Sequence, residues 1–280
     1  MAYISLARKR CVFAAVLAGM VFLATFRAVA DEDAEKGRDI VERWESSVVT
    51  VRLVMEQRVV VGGREMSKSE GKNEVTGTII DPSGLVVVSF FSTSPNELYQ
   101  QMAAAMGQDS GDWKMESETT DVKIRLPDGN ELPAKIVLRD KDLDLAFIRP
   151  VEKPAEPLPA VDLSAKGAPE LLDTVVVINR LGRVASWATA VYIDRIHAIA
   201  EKPRRFYVPG GMGAMESELG CPAFTLDGKA VGILVLRVLP SGGGGMGSAF
   251  GGMSGAGMLP VILPSEDILE VAKQAPEITE

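Results

Sequence analysis

Residues 217–234 read SELGCPAFTLDGKAVGIL. Gly220 and Pro222 frame a corner, because glycine admits backbone angles closed to other residues and proline locks its own φ. Leu226-Asp227-Gly228 then supplies turn chemistry, and an apolar run follows from Ala230. Corner, short strand, tight turn and second strand make an antiparallel β unit.

Working outward, the same rhythm fills the second half of the chain. DTVVVINRLG (173–182), ASWATAVYIDRI (185–196), RFYV (205–208) and MLPVIL (258–263) all read as strands. Ser265 is placed to cap a closing helix carried by Ile268, Leu269, Val271 and Ala272. Residues 241–257 are a glycine-rich, low-complexity stretch expected to be mobile.

The first half repeats the pattern. SVVTVRLV (47–54) is a strand, and GTIIDPSGLVVVSFF (77–91) is a hairpin whose Asp81-Pro82-Ser83-Gly84 suits a type I turn. DVKIRL (121–126) and PAKIVL (133–138) form a second hairpin around Pro127-Asp128-Gly129, and 143–148 gives another strand. The polar stretch containing Gly62, Gly63 and Gly71 reads as a long loop. Residues 92–120 read as a surface insertion with one short helix and a polar tail. Residues 31–46 are helical by the spacing of Ile40, Val41 and Trp44. The prolines at 150, 154, 157 and 159 mark a linker over about 150–165. Short strands at even spacing in two halves predict an all-β chain of two antiparallel barrels, at about 47–150 and 166–263. An N-terminal, an inserted and a C-terminal helix (265–275) accompany them.

Composition narrows the function. Arg8, Lys9 and Arg10, an apolar run from Cys11 to Phe26, and Ala28-Val29-Ala30 have the order of a secretory signal over residues 1–30, implying a periplasmic or secreted protein. The rival reading is an uncleaved membrane anchor. Cleavage moves the formal net charge from −8 to −12, which disfavours nucleic acid and anionic membrane surfaces as partners. Cleavage also leaves Cys221 alone, so no internal disulfide is expected, and the single histidine, His197, permits no His/Cys metal cluster. No cofactor and no metal are expected. A soft-metal site of Met253 and Met258 would lack nearby imidazoles.

Five stretches, in order over about residues 46–275, resemble the trypsin-fold protease domain of the HtrA/Deg family of exported quality-control proteases. These are EVTGTIIDPSGLVVVSFF, DVKIRLPDGNELPAKIVLRDKDLDLAFIRP, DTVVVINRLGRVASWATAVYIDRI, SELGCPAFTLDGKAVGIL and GMLPVILPSEDILEVAKQ. The resemblance implies a two-barrel fold and places the family's catalytic aspartate on Asp144. Its histidine falls on Phe91 and its serine on Leu219, while the glycine two before that serine falls on Ser217 and the second glycine of the serine motif on Cys221.

Acyl transfer by such a triad needs a nucleophilic oxygen and a base that accepts its proton. Neither a phenyl ring nor an isobutyl group provides one. The backbone N–H groups near Ser217 and Leu219 could still form an oxyanion-type pocket. Asp144, deprived of a histidine, is expected to be held by backbone N–H groups or by water, or to be retained for the turn it makes. The sequence therefore predicts an inactive relative that binds extended or unfolded polypeptide, with an active protease relative or further copies of the chain (a homo-oligomer) as candidate partners. Met212, Met215, Met246, Met253 and Met258 are expected on its peptide-contacting loops, where flexible thioethers suit varied apolar side chains. The competing expectation is an active serine endopeptidase with a non-standard site. Family members usually carry PDZ domains after the closing helix, and none is recognisable before Glu280.

Overall fold

A computed structural model of the chain describes residues 32–105, 113–210, 219–238 and 258–278. Helix α1 (residues 32–44) runs through a 3-10 turn, Glu45–Ser47, into the first barrel. That barrel comprises β1 (Val48–Val61), β2 (Arg64–Asp81), β3 (Leu85–Ser89), β4 (Trp113–Arg125), β5 (Glu131–Asp140) and β6 (Leu145–Pro150). Helices α2 (Phe90–Thr93) and α3 (Pro95–Ala105) lie between β3 and β4. The second barrel comprises β7 (Thr174–Arg180), β8 (Thr189–Ala200), β9 (Phe206–Pro209), β10 (Pro222–Thr225), β11 (Ala230–Val238) and β12 (Met258–Pro264), followed by α4 (Ser265–Ala272). Both sheets close, in the orders β1-β2-β3-β6-β5-β4 and β10-β11-β12-β9-β8-β7, and every named ladder is antiparallel.

The apolar runs are continuous, rather than alternating, because many strands are buried on both faces. In β3, Val86 and Val88 point into the first barrel, while Leu85 and Val87 join a core shared by the two barrels. Phe147 of β6, Val176, Ile178 and Phe224 of the second barrel, Ile40 of α1 and Ile268 of α4 meet in that shared core. The proline-rich linker contributes to it: Val161 and Leu163 are fully buried there, and the Val161 N–H donates to the Ile79 carbonyl at 2.9 Å. A smaller cluster fills the second barrel around Val175, Ile196, Cys221 and Ile262. Cys221 thus sits where a small side chain must pack.

Two expectations need correction. The stretch around Gly62 and Gly63 is no long loop, but a two-residue turn joining β1 and β2. Both glycines hold positive φ, 56° and 77°, as a primed hairpin turn demands. Likewise the polar tail after α3 is strand: β4 pairs with β1 from Val61↔Trp113 inward, making a three-stranded ribbon that continues the barrel wall. This ribbon lacks apolar alternation because its sheet is largely solvated. One face is laced by Glu56 with Arg58 and Lys68 at 2.5 and 2.7 Å instead.

Candidate functional site in the inter-barrel cleft

The site begins with β2. Gly220 lies against it so closely that a Cβ would stand 2.2 Å from the Thr76 carbonyl oxygen, and its φ of 88° is one that glycine alone adopts without strain. The Thr78 hydroxyl donates to the Gly220 carbonyl at 2.8 Å, and the Gly220 N–H donates to the Leu234 carbonyl at 2.8 Å. These contacts press the corner of the second barrel onto the first. Leu219 therefore enters the first-barrel core beside Phe91, Leu236 and Met258.

A cleft of about 350 Å³ opens at this junction. Its apolar wall includes Val75, Phe91, Pro95, Leu98, Leu181 and Leu219. Its polar wall carries the Thr50, Thr76 and Ser92 side chains, with Glu74 and Arg180 as its charged groups. Arg180 is committed to holding the barrels together: its guanidinium donates to the carbonyls of Glu45 and Val48 and to the Thr189 hydroxyl. Pro95 and Leu98 bring the 92–105 segment into the cleft wall, although it reads as a surface insertion in the sequence.

Asp144 stands immediately behind Phe91. It is 1% exposed, and its φ of 57° turns the carboxylate inward between β3 and β11. Its Oδ1 accepts the Phe91 N–H at 2.8 Å, and its Oδ2 accepts the Leu236 N–H at 2.6 Å. The Ser89 hydroxyl lies 2.8 Å from both oxygens and donates to the carboxylate, while the Asp144 carbonyl accepts the Phe90 N–H at 3.1 Å. Burial pushes this carboxyl up to about 7. The donors from Leu236, Phe91 and Ser89 work against that rise. Asp144 is therefore anchored by two backbone N–H groups and a hydroxyl, the backbone option anticipated above. Ser89 and Leu236 were not anticipated. A Ser at a strand end before an aromatic pair carries no local signal, and Leu236 acts through its backbone.

The remaining candidates divide. Met258 is no loop residue: it opens β12, is 1% exposed and packs in the first-barrel cluster, because the strand's inward face needs an apolar filler there. Ser217, Met212, Met215, Met246 and Met253 lie outside the described residues. His197 is an exposed residue of β8 whose ring lies against Gly210 and does not line the cleft. Among the described residues no three His, Cys, Asp or Glu side chains converge as a metal site.

Nothing among curated proteins matches the sequence. Residues 75–233, more than half of the chain, match the model of the trypsin-like peptidase domain. That span runs from β2 through the Asp144 turn and the Gly220 corner into β11, and it includes every residue of the Asp144 anchor except Leu236. With two closed six-stranded antiparallel barrels meeting at this cleft, the chain belongs to the trypsin-like peptidase domain family.

Proposed function

We propose that this chain is an HtrA-like pseudoprotease: an exported trypsin-like domain that holds extended or unfolded polypeptide without cleaving it, in envelope protein quality control. The observation that carries the reading is the junction of Phe91, Asp144 and Leu219. The two side chains facing the cleft are a ring and an aliphatic group, while the carboxylate behind them is occupied by Ser89 and two backbone N–H groups. Proton abstraction and attack on a carbonyl both require groups that neither side chain offers. Oxyanion donors acting alone leave roughly 10³–10⁴-fold over water, far too little for peptide hydrolysis.

What the junction offers is binding. Leu219, Phe91, Leu98 and Val75 form an apolar surface that an aliphatic side chain of a client can cover, worth about 1.5–3 kcal/mol when fully buried. The signal-like residues 1–30 support the exported setting.

The test has two arms. A serine-directed covalent probe and a fluorogenic peptide library are applied to the purified chain, with an active serine peptidase as control. The chain is expected to stay unlabelled and turn over nothing; labelling at any serine overturns the reading in favour of an active endopeptidase. Calorimetry with unfolded polypeptide is expected to show binding that Leu219→Asp abolishes.

A further inference from the structure

The first barrel closes between β4 and β5 through a short ladder only. The β4–β5 ladder runs only from Arg125↔Glu131 to Lys123↔Pro133. Beyond it, β4 continues to pair with β1 alone and β5 with β6 alone. The two strands diverge, and the backbone edges facing one another across the gap are left without a ladder. The gap holds a cavity of about 460 Å³, bordered by Thr119, Thr120 and Asp121 on one side and by Ala134, Ile136 and Arg139 on the other.

Residues opposite one another across a ladder share a face. Arg139 is opposite Ala146, and Thr119 is opposite Met55; both partners belong to the barrel's interior cluster. Arg139 and Thr119 therefore project to the inner side of the open wall. Arg139 remains exposed to solvent, yet the surrounding protein removes enough water to lower its pKa, and no acid opposes that shift. Among the described residues its side chain has neither an ion pair nor a hydrogen bond. Lys135 borders the same cavity but is opposite Arg149 and faces the outer side, and Asp121 has Lys123 at 4.0 Å. A partly desolvated guanidinium on the inner side of the wall, with no acid beside it, suits a carboxylate brought in by a partner.

We propose that the β4–β5 gap is a second polypeptide-binding site, which takes an extended segment bearing an acidic side chain. The segment pairs its backbone with an open strand edge, the recognition mode of strand addition. Its carboxylate meets the guanidinium fork of Arg139, whose planar donors match a carboxylate in pairs. The site is separate from the inter-barrel cleft, so the reading of that cleft stands or falls independently.

The experiment uses the full chain and two fluorescein-labelled, end-blocked peptides of alternating Thr and Val, one with a central Glu and one with Gln there. Anisotropy is expected to show the Glu peptide binding and hydrogen exchange to slow at Ala134 and Ile136. Arg139→Gln is expected to weaken the Glu peptide about tenfold while leaving the Gln peptide unchanged. Arg139→Lys, which keeps the charge without the fork, is expected to fall between. Equal affinity for both peptides, an equal loss of both in Arg139→Gln, protection confined to the inter-barrel cleft, or no binding by the parent chain overturns the proposal. Unchanged thermal midpoints of the two variants ensure that a loss is read as binding and not as unfolding.

Discussion

The backbone N–H of Phe91 donates to Asp144 Oδ1 at 2.8 Å, while the Phe91 ring lies at 64° to Phe90, 5.4 Å between centroids, within the first-barrel core. The carboxylate thus orients the backbone of the residue beside it and leaves the side chain to packing. A group suited to orienting a base serves here to tie the end of β3 to the start of β6 and, through Leu236, to the second barrel.

Removing that carboxylate strands its donors. Asp144→Ala leaves the Phe91 and Leu236 N–H groups and the Ser89 hydroxyl buried without their acceptor. Each such group costs about 1–3 kcal/mol. A loss of at least about 3 kcal/mol is expected in urea unfolding, and a variant within 1 kcal/mol of the parent would mean that the anchor is not structural.

The same residue predicts a pH dependence. Its carboxyl titrates near 7 in the fold and near 3.9 when unfolded. Between these values the native state holds a proton that the unfolded chain has released, so this contribution to stability falls as pH rises and levels off above about 7. The full span amounts to roughly 4 kcal/mol. Asp144→Asn is expected to flatten unfolding free energy against pH in that window relative to the parent. Parallel curves for the two proteins would assign the dependence elsewhere.

Gly220 and Gly129 provide a matched pair. Both have positive φ, 88° and 92°, but a Cβ on Gly129 meets nothing nearer than the Arg125 side chain at 3.5 Å. Gly129→Ala should cost about 1 kcal/mol from backbone strain alone. Gly220→Ala adds a backbone clash at 2.2 Å and is expected to cost clearly more and to shift the corner off β2, seen as faster hydrogen exchange at Leu234 and its neighbours. Equal losses would show that the close approach to Thr76 is relaxed at little cost.

Leu219→Ala tests the cleft itself. Leu219 is 8% exposed and borders open space, so the cavity it leaves is partly continuous with solvent. A loss of about 2 kcal/mol, the low end for a buried leucine, is expected together with weaker binding of apolar unfolded clients. Unchanged client affinity beside the stability loss would make Leu219 a core residue only.

The alternating and continuous apolar runs, the turns at Asp81–Gly84 and at Gly129, and the proline-rich crossing were enough to predict two all-β barrels. Strand period and turn chemistry are local properties that each segment carries in its own residues. The Gly62-Gly63 turn was legible too, as a two-glycine hairpin signal, but the charged strands beside it masked it. A solvated ribbon need not alternate apolar with polar. Phe91, Asp144 and Leu219 were singled out by the resemblance to the family's motifs. Their mutual contact, the capture of Asp144 by Ser89 and Leu236, the burial of Met258 and the open β4–β5 seam were decided only by tertiary structure. The capture of Asp144 depends on groups 55 and 92 residues away, and on backbone N–H groups that every residue except proline possesses. No side-chain pattern along the chain can specify which of those common donors closes over a buried carboxyl group.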